Sequence, residues 1–382
     1  MLRHLSPRGQ GRPLSEIVAR HALMSEFLQK RGLSRIALVY IGAVASGYVL
    51  SLLHVPLPWM IGPMIAAGLL NLIGRNVAVP GITRAVGQTI VAASVGLFFT
   101  PAAVAAASEQ IVAMLAAALL TIVAGFLAAA VLMWLTRIDV ISASLACIPG
   151  GPVEMAALAT RHGVAPGPVA FAQILRISLL VLTVPPLLVA LDDRTVIPVF
   201  SGGNEDYCGA TLLLLAAACV GIFMRRLRMT SPFFLGPLGV SALAAAMMLP
   251  VAAPPYWVLA SAQVLLGVWL GCMFDKQLLA RSGGLVLAVV LSTGVLLVLC
   301  ALMAFGISAV TGIEWRTMVL ATAPGSVTEM ALTANILQQG VALVTAFHVV
   351  RIFIILPSAP LIFAITARLA HRWRKSGKIS PD

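Results

Sequence analysis

The chain is written twice. Glu154 and Glu329 stand 175 residues apart, and so do Arg176 and Arg351, Pro149 and Pro324, Gln88 and Gln263, Gly96 and Gly271, and Pro185 and Pro360. Gly62-Pro63 and Gly236-Pro237 repeat at 174, a slip of one residue. An offset held across so many landmarks identifies an internal duplication, so the chain is two related halves and not two unrelated domains.

What the halves are made of follows from their solvent. Sixty per cent of the 382 residues are hydrophobic, ten per cent are charged and the mean hydropathy is +1.02. Apolar runs long enough to cross a bilayer recur along the chain, which describes an all-α polytopic membrane protein. The net charge of +12 sits at the ends and in short loops, not in a stripe with aromatics, so it signals topology and not direct nucleic-acid binding. Cys147, Cys208, Cys219, Cys272 and Cys300 show neither CxxC nor Cys/His spacing, so no disulfide framework, zinc site or other metal centre is indicated. No cofactor is implied.

In order, residues 1–33 form a basic cytoplasmic tail without a removable signal peptide. Residues 34–191 form the first membrane repeat, with segments near 36–53, 58–74, 86–100, 111–135 and 169–191. Residues 192–208 are a polar connector with Asp192, Asp193, Arg194, Glu205 and Asp206. Residues 209–367 form the second repeat, and 368–382 a second basic tail.

Each repeat carries one segment that a lipid-facing helix does not tolerate. The first reads Ile148-Pro149-Gly150-Gly151-Pro152-Val153-Glu154-Met155, the second Ala323-Pro324-Gly325-Ser326-Val327-Thr328-Glu329-Met330. Proline removes a backbone donor, glycine permits a bend, and a carboxylate in lipid is costly. A helix broken at membrane depth persists only where its freed backbone groups meet protein, a cavity or a ligand.

Charge distribution sets the orientation. With a re-entrant Pro-Gly element in each half, each half crosses five times and the two insert oppositely. Arg75, Arg84, Arg137, Arg161, Arg225, Arg226, Arg228, Lys276 and Arg281 are then cytoplasmic with both termini, and Arg194 and Arg316 are outside. If every segment spans, six of those cytoplasmic charges move outside, against the positive-inside tendency. Two inverted-topology repeats of about five spans are therefore expected, each with a broken or re-entrant helix. A broken helix that spans while another segment dips back meets the same count.

Paired broken helices in inverted repeats build the midplane sites of secondary transporters. The candidate binding set is Pro149, Gly150, Gly151 and Glu154 with Gln173 and Arg176, and Pro324, Gly325, Ser326 and Glu329 with His348 and Arg351. Gln88 and Gln263 join it, either touching the breaks or bridging helices. Each intramembrane arginine requires an acidic partner or a cluster of carbonyls, and the glutamates are the nearest candidates. Two readings follow. The four charges are two buried Glu–Arg pairs that pin the broken helices, or one glutamate exchanges a proton or cation while arginine and half-helix N–H groups hold an anionic part of a solute. His348, in the place of Gln173, is either a satisfied polar residue or a proton relay. Gly62-Pro63 and Gly236-Pro237 are expected as kinks that allow close packing.

The two Pro-Gly-x-x-x-Glu-Met segments, Pro58-Trp59-Met60-Ile61-Gly62-Pro63, Phe233-Phe234-Leu235-Gly236-Pro237 and the duplicated arginine helices resemble the bacterial AbrB family of duplicated membrane proteins, over residues 36 to 367. Members have been labelled both AbrB family transcriptional regulator and ammonia monooxygenase. The resemblance implies an inner-membrane protein and carries over no catalytic residues. An oxygenase metal site needs several converging ligands, whereas His4, His21, His54, His162, His348 and His371 lie mostly in tails or loops. Direct gene regulation needs a soluble nucleic-acid-binding module, and the longest soluble stretch is the short N-terminal tail. The expectation is a non-enzymatic, transporter-like protein in lipid that moves a small solute, with an anion among the options, or else a membrane sensor that affects gene expression indirectly. Self-association stays open.

Overall fold

The computed structural model describes residues 35–74, 77–191, 206–274 and 283–355, with Lys276 and Ser358, and all regular structure among them is helical. The first half holds α1 (Arg35–Leu52), α2 (Pro58–Leu72), α3 (Gly81–Gly96), α4 (Pro101–Glu109), α5 (Ile111–Thr136), α6 (Val140–Cys147), α7 (Pro152–Arg161) and α8 (Pro166–Ala190). The second holds α9 (Tyr207–Arg226), α10 (Pro232–Ala246), α11 (Tyr256–Cys272), α12 (Gly283–Thr311), α13 (Trp315–Thr322), α14 (Val327–Ile336) and α15 (Val341–Ile355). The two basic tails, Arg75, Arg281, Arg194 with most of the polar connector, and Pro360 lie outside the described residues.

Five of these helices, α1, α5, α8, α9 and α12, are long and apolar enough to cross a bilayer. Large apolar side chains such as Ile41, Leu119, Leu212 and Leu302 stand exposed along them, as a lipid-facing surface requires. The third segment departs from expectation. Its helix starts at Gly81, and after Gly96 the chain turns by 91° into α4. Thr100 is extended and accepts a bond from Ala103 N at 3.3 Å, while Pro101, with no N–H to leave unpaired, opens the new helix.

The duplication reappears as reciprocal packing. α2 of the first half packs on α11 of the second, α3 packs on α10, and α5 packs on α12. The contacts match residue for residue. A Cβ on Gly96 would stand 2.7 Å from the Leu238 carbonyl oxygen, and one on Gly271 would press on the Met64 carbonyl oxygen. Small residues let membrane helices approach this closely. Pro63 and Pro237 sit inside helices that continue through them, while Gly62 meets the Gly47 backbone and Gly236 the Gly221 backbone. The Gly-Pro pairs thus mark close contacts between α1 and α2 and between α9 and α10.

Both Pro-Gly segments are breaks between short helices. Ile148 and Gly151 are extended, as are Ala323 and Ser326, and the arms they separate are 8 and 10 residues long in each half. No arm can cross a bilayer alone, since that takes about 20 residues. The first arm of the first half starts cleanly because Asp139 accepts a hydrogen bond from Ser142 N at 2.8 Å.

Candidate functional site

Each break leaves carbonyls at the end of its first arm and N–H groups at the start of its second. Arginine answers the carbonyls. Arg176 on α8 donates from Nη1 to the Cys147 carbonyl at 2.9 Å, with Ala146 at 3.5 Å, and from Nη2 to Gln173 Oε1 at 2.5 Å. Arg351 on α15 donates from Nη1 to the Ala323 carbonyl at 2.7 Å and from Nη2 to the Gly325 carbonyl at 2.8 Å and to His348 Nδ1 at 2.6 Å. A cation at the carbonyl end of a helix is stabilised by the helix dipole. Among the described residues neither guanidinium pairs with Glu154 or Glu329. Of the two partners expected, a glutamate or a carbonyl cluster, both arginines take the carbonyls, which the arm ends supply.

Gln173 and His348 occupy equivalent places and make equivalent bonds. Gln173 donates from Nε2 to the carbonyls of Leu145 at 2.6 Å and Ile148 at 3.0 Å. His348 Nε2 lies 2.9 Å from the Leu320 carbonyl, and Leu320 is the counterpart of Leu145. With Nδ1 accepting from Arg351, the proton sits on Nε2 and points at that carbonyl. Both ring nitrogens are committed, and His348 is fully buried and does not line the cavity reached by Arg351. The geometry is that of a satisfied polar residue.

The glutamates lie in the first turn of α7 and α14, at the N–H ends of the second arms. Gly151 and Ser326 are the cap residues, and neither makes a side-chain cap bond. A Cβ on Gly151 would overlap the Glu154 carboxylate, which folds back over that position. Oε2 of Glu154 and Oε2 of Glu329 are both buried without a hydrogen-bond partner.

Both breaks line one cavity of about 80 Å³. Of the residues singled out in the sequence, Pro149, Gly150, Gly151, Glu154, Gly325, Ser326, Glu329, Arg351 and Gln88 line it. Gln88 Nε2 reaches Thr328 Oγ1 at 3.4 Å and so ties α3 to the second break. Gln173, Pro324, His348 and Gln263 do not line it, and Arg176 faces a separate space of about 10 Å³ beside Cys147 and Ser292. Gln263 is buried with an unpartnered Oε1. A wider cavity of about 480 Å³ shares Arg84, Gln88, Glu154 and Ser231 with the first and adds Arg225. Among the described residues no three His, Cys, Asp or Glu side chains gather as a metal cage.

Sequence reasoning missed Arg84, Trp269 and Ser231. Arg84 lies 4.7 Å over the Trp269 ring, in cation–π contact. One helical turn separates it from Gln88, so the two share a face of α3, and that spacing was the available signal. Ser231, which opens α10, has φ 48°, as Leu57 before α2 has φ 56°, so a rare left-handed conformation is also duplicated.

The chain is 27% identical over 367 residues to the "Uncharacterized protein YhjN" of Bacillus subtilis (strain 168), covering 88% of this chain and 94% of that protein. It is 28% identical over 321 residues to the "Putative regulator AbrB" of Escherichia coli (strain K12), covering 81% of this chain and 90% of that protein. The family model described as "Transition state regulatory protein AbrB" matches residues 8–192 and 59–367. With matches running through both halves, the chain belongs to the AbrB family.

Proposed function

We propose that this protein is a secondary carrier of a small solute, built on two inverted repeats, with its site in the cavity between the two broken segments. The observation that carries the reading is the convergence of both breaks, each with an unpartnered glutamate oxygen, on one cavity. Discontinuous helices whose ends face a solute are how carriers build midplane sites. Reciprocal packing of α2 on α11 and α3 on α10 supports a two-fold relation between the halves.

The bonds from α15 to α13 support re-entrant breaks. His348 meets the Leu320 carbonyl while Arg351, one turn further on, meets Ala323 and Gly325, so contacts advance along both helices together. A parallel α13 and α15 require α14, which links them through short turns, to run back. The positive-inside rule then puts Arg84, Arg225 and Arg226, and with them the wider cavity, on the cytoplasmic side of an inner membrane with both termini cytoplasmic. In this reading the protein is not an enzyme, and Glu154 or Glu329 exchanges the coupling proton or cation.

A second reading rests on the relatives' names. A regulator that binds a ligand in the same cavity without moving it fits the family description and the name of the E. coli relative. Reconstitution separates the two. Proteoliposomes challenged with amino acids, organic acids, ammonium and simple ions are expected to show substrate-dependent flux that Glu154→Gln or Glu329→Gln abolishes while ligand-induced thermal stabilisation persists. Stabilisation without flux, joined to a ligand-dependent change in gene expression, would establish the regulator instead.

A further inference from the structure

Three cavity-lining side chains have unmet bonding capacity of opposite kinds. Glu329 is 9% exposed, its Oε2 has no partner, and Oε2 of Glu154 is also buried and unpartnered. These two are acceptors. Arg84 is a donor: its guanidinium rests on Trp269 and its charge acts on Glu329, yet among the described residues its N–H groups make no hydrogen bond. Beside it the first N–H groups of α14 are uncapped by Ser326 and have no partner within their own helix. Arg351 also lines the cavity, but its Nη donors are held by carbonyls and His348.

We infer that the cavity takes a small zwitterion, a molecule with one ammonium and one carboxylate group on a short aliphatic body. This rests on the carrier reading for movement across the membrane, though not for binding. A simple cation would satisfy the glutamates and leave the Arg84 N–H donors without an acceptor, since Arg84 acts on Glu329 by charge and not by a hydrogen bond. A simple carboxylate would satisfy Arg84 and the α14 N–H groups while bringing a third acceptor toward two unpaired ones, a like-charge arrangement that costs binding energy. A zwitterion meets both sets, its carboxylate toward Arg84 and the start of α14 and its ammonium toward Glu154 and Glu329.

Size and lining narrow the class. A water needs about 10–15 Å³ on this measure, so an 80 Å³ space suits a ligand on the order of six non-hydrogen atoms. Ile177, Phe234, Leu266 and Ile355 supply an apolar wall for a short side chain. Glycine, alanine and β-alanine have that size and both charges.

The test is thermal stabilisation and calorimetric titration of the purified full chain with L-alanine, glycine, β-alanine, propionate and ethylammonium at matched ionic strength. At least one zwitterion is expected to raise Tm and to bind about tenfold or more tighter than either half-ligand, since each charge-assisted contact is worth about 1.5–3 kcal/mol. Arg84→Gln is expected to weaken that zwitterion about tenfold, and the lost Trp269 contact is read separately in the variant's own ligand-free Tm. Arg84→Lys should recover part of the loss. Glu329→Gln should remove the preference for the ammonium group. Propionate or ethylammonium binding as tightly as every zwitterion overturns the inference, and so does a panel in which no zwitterion stabilises the protein. Counterflow in proteoliposomes keeps the two ideas apart. Zwitterion binding without counterflow sinks the carrier and leaves the site, whereas propionate counterflow without zwitterion binding sinks the site and leaves the carrier.

Discussion

The two arginine clusters are the same device put to different use. In each, an arginine on the helix after the break caps the carbonyls of the first arm, and the residue three positions earlier accepts from its Nη2 while donating back to the arm. Yet Arg351 lines the cavity, and Arg176 faces a space that holds one water at most. A duplicated chain therefore keeps both clusters as carbonyl caps and opens only one onto the larger cavity. The asymmetry is in access, not in bonding.

Removing the arginines probes that distinction most strongly. Arg176→Leu strands the carbonyls of Cys147 and Ala146 and the Oε1 of Gln173 in a buried setting, and unmet buried polar groups cost about 1–3 kcal/mol each. A loss of about 3 kcal/mol is expected, read as a large fall in detergent-solubilised Tm. Arg351→Leu should lose a similar amount and should also alter ligand binding at permissive temperature. Equal effects of both variants on ligand affinity would show that the clusters are not divided as their access implies.

Packing between the halves is the next lever, with a smaller effect. Gly96→Ala and Gly271→Ala each place a methyl against a carbonyl of the facing helix, at Leu238 and Met64. Overpacking of this kind costs about 1–3 kcal/mol. Because the contacts are counterparts, the two losses should agree within about 0.5 kcal/mol and add in the double variant if the sites are independent. A large loss at one and none at the other would break the reciprocity.

What the sequence disclosed follows the same line. Positions where both halves do the same job announce themselves through the 175-residue offset, so the breaks, their glutamates and the arginine helices were legible. Positions where the halves diverged were invisible to that method. Arg84 has Leu259 as its counterpart and Trp269 has Ser94, so the offset offers no echo of the Arg84–Trp269 contact. The arginine partners were left open between a glutamate and a carbonyl cluster, and the sequence could not choose. Glutamate was weighed as the nearest opposite charge, but a broken helix supplies its own acceptors, and those carbonyls need no desolvated counter-ion. Arg84, grouped with the loop charges that set topology, instead begins a helix whose face leads to Gln88.

The smallest expected effect is the sharpest discriminator at His348. If its role is only to relay hydrogen bonds between the Leu320 carbonyl and Arg351, an amide does the same, because Gln173 already makes that pair of bonds in the other half. His348→Gln should then cost less than about 1 kcal/mol, close to a volume-conserving exchange, with Arg351 still held by Ala323 and Gly325. Ligand affinity and flux should keep their pH profiles. A relay histidine predicts the opposite, since an amide cannot take and return a proton between pH 5 and 8. Unchanged Tm with a lost pH-dependent limb of flux would turn the second cluster from a structural copy of the first into a proton path.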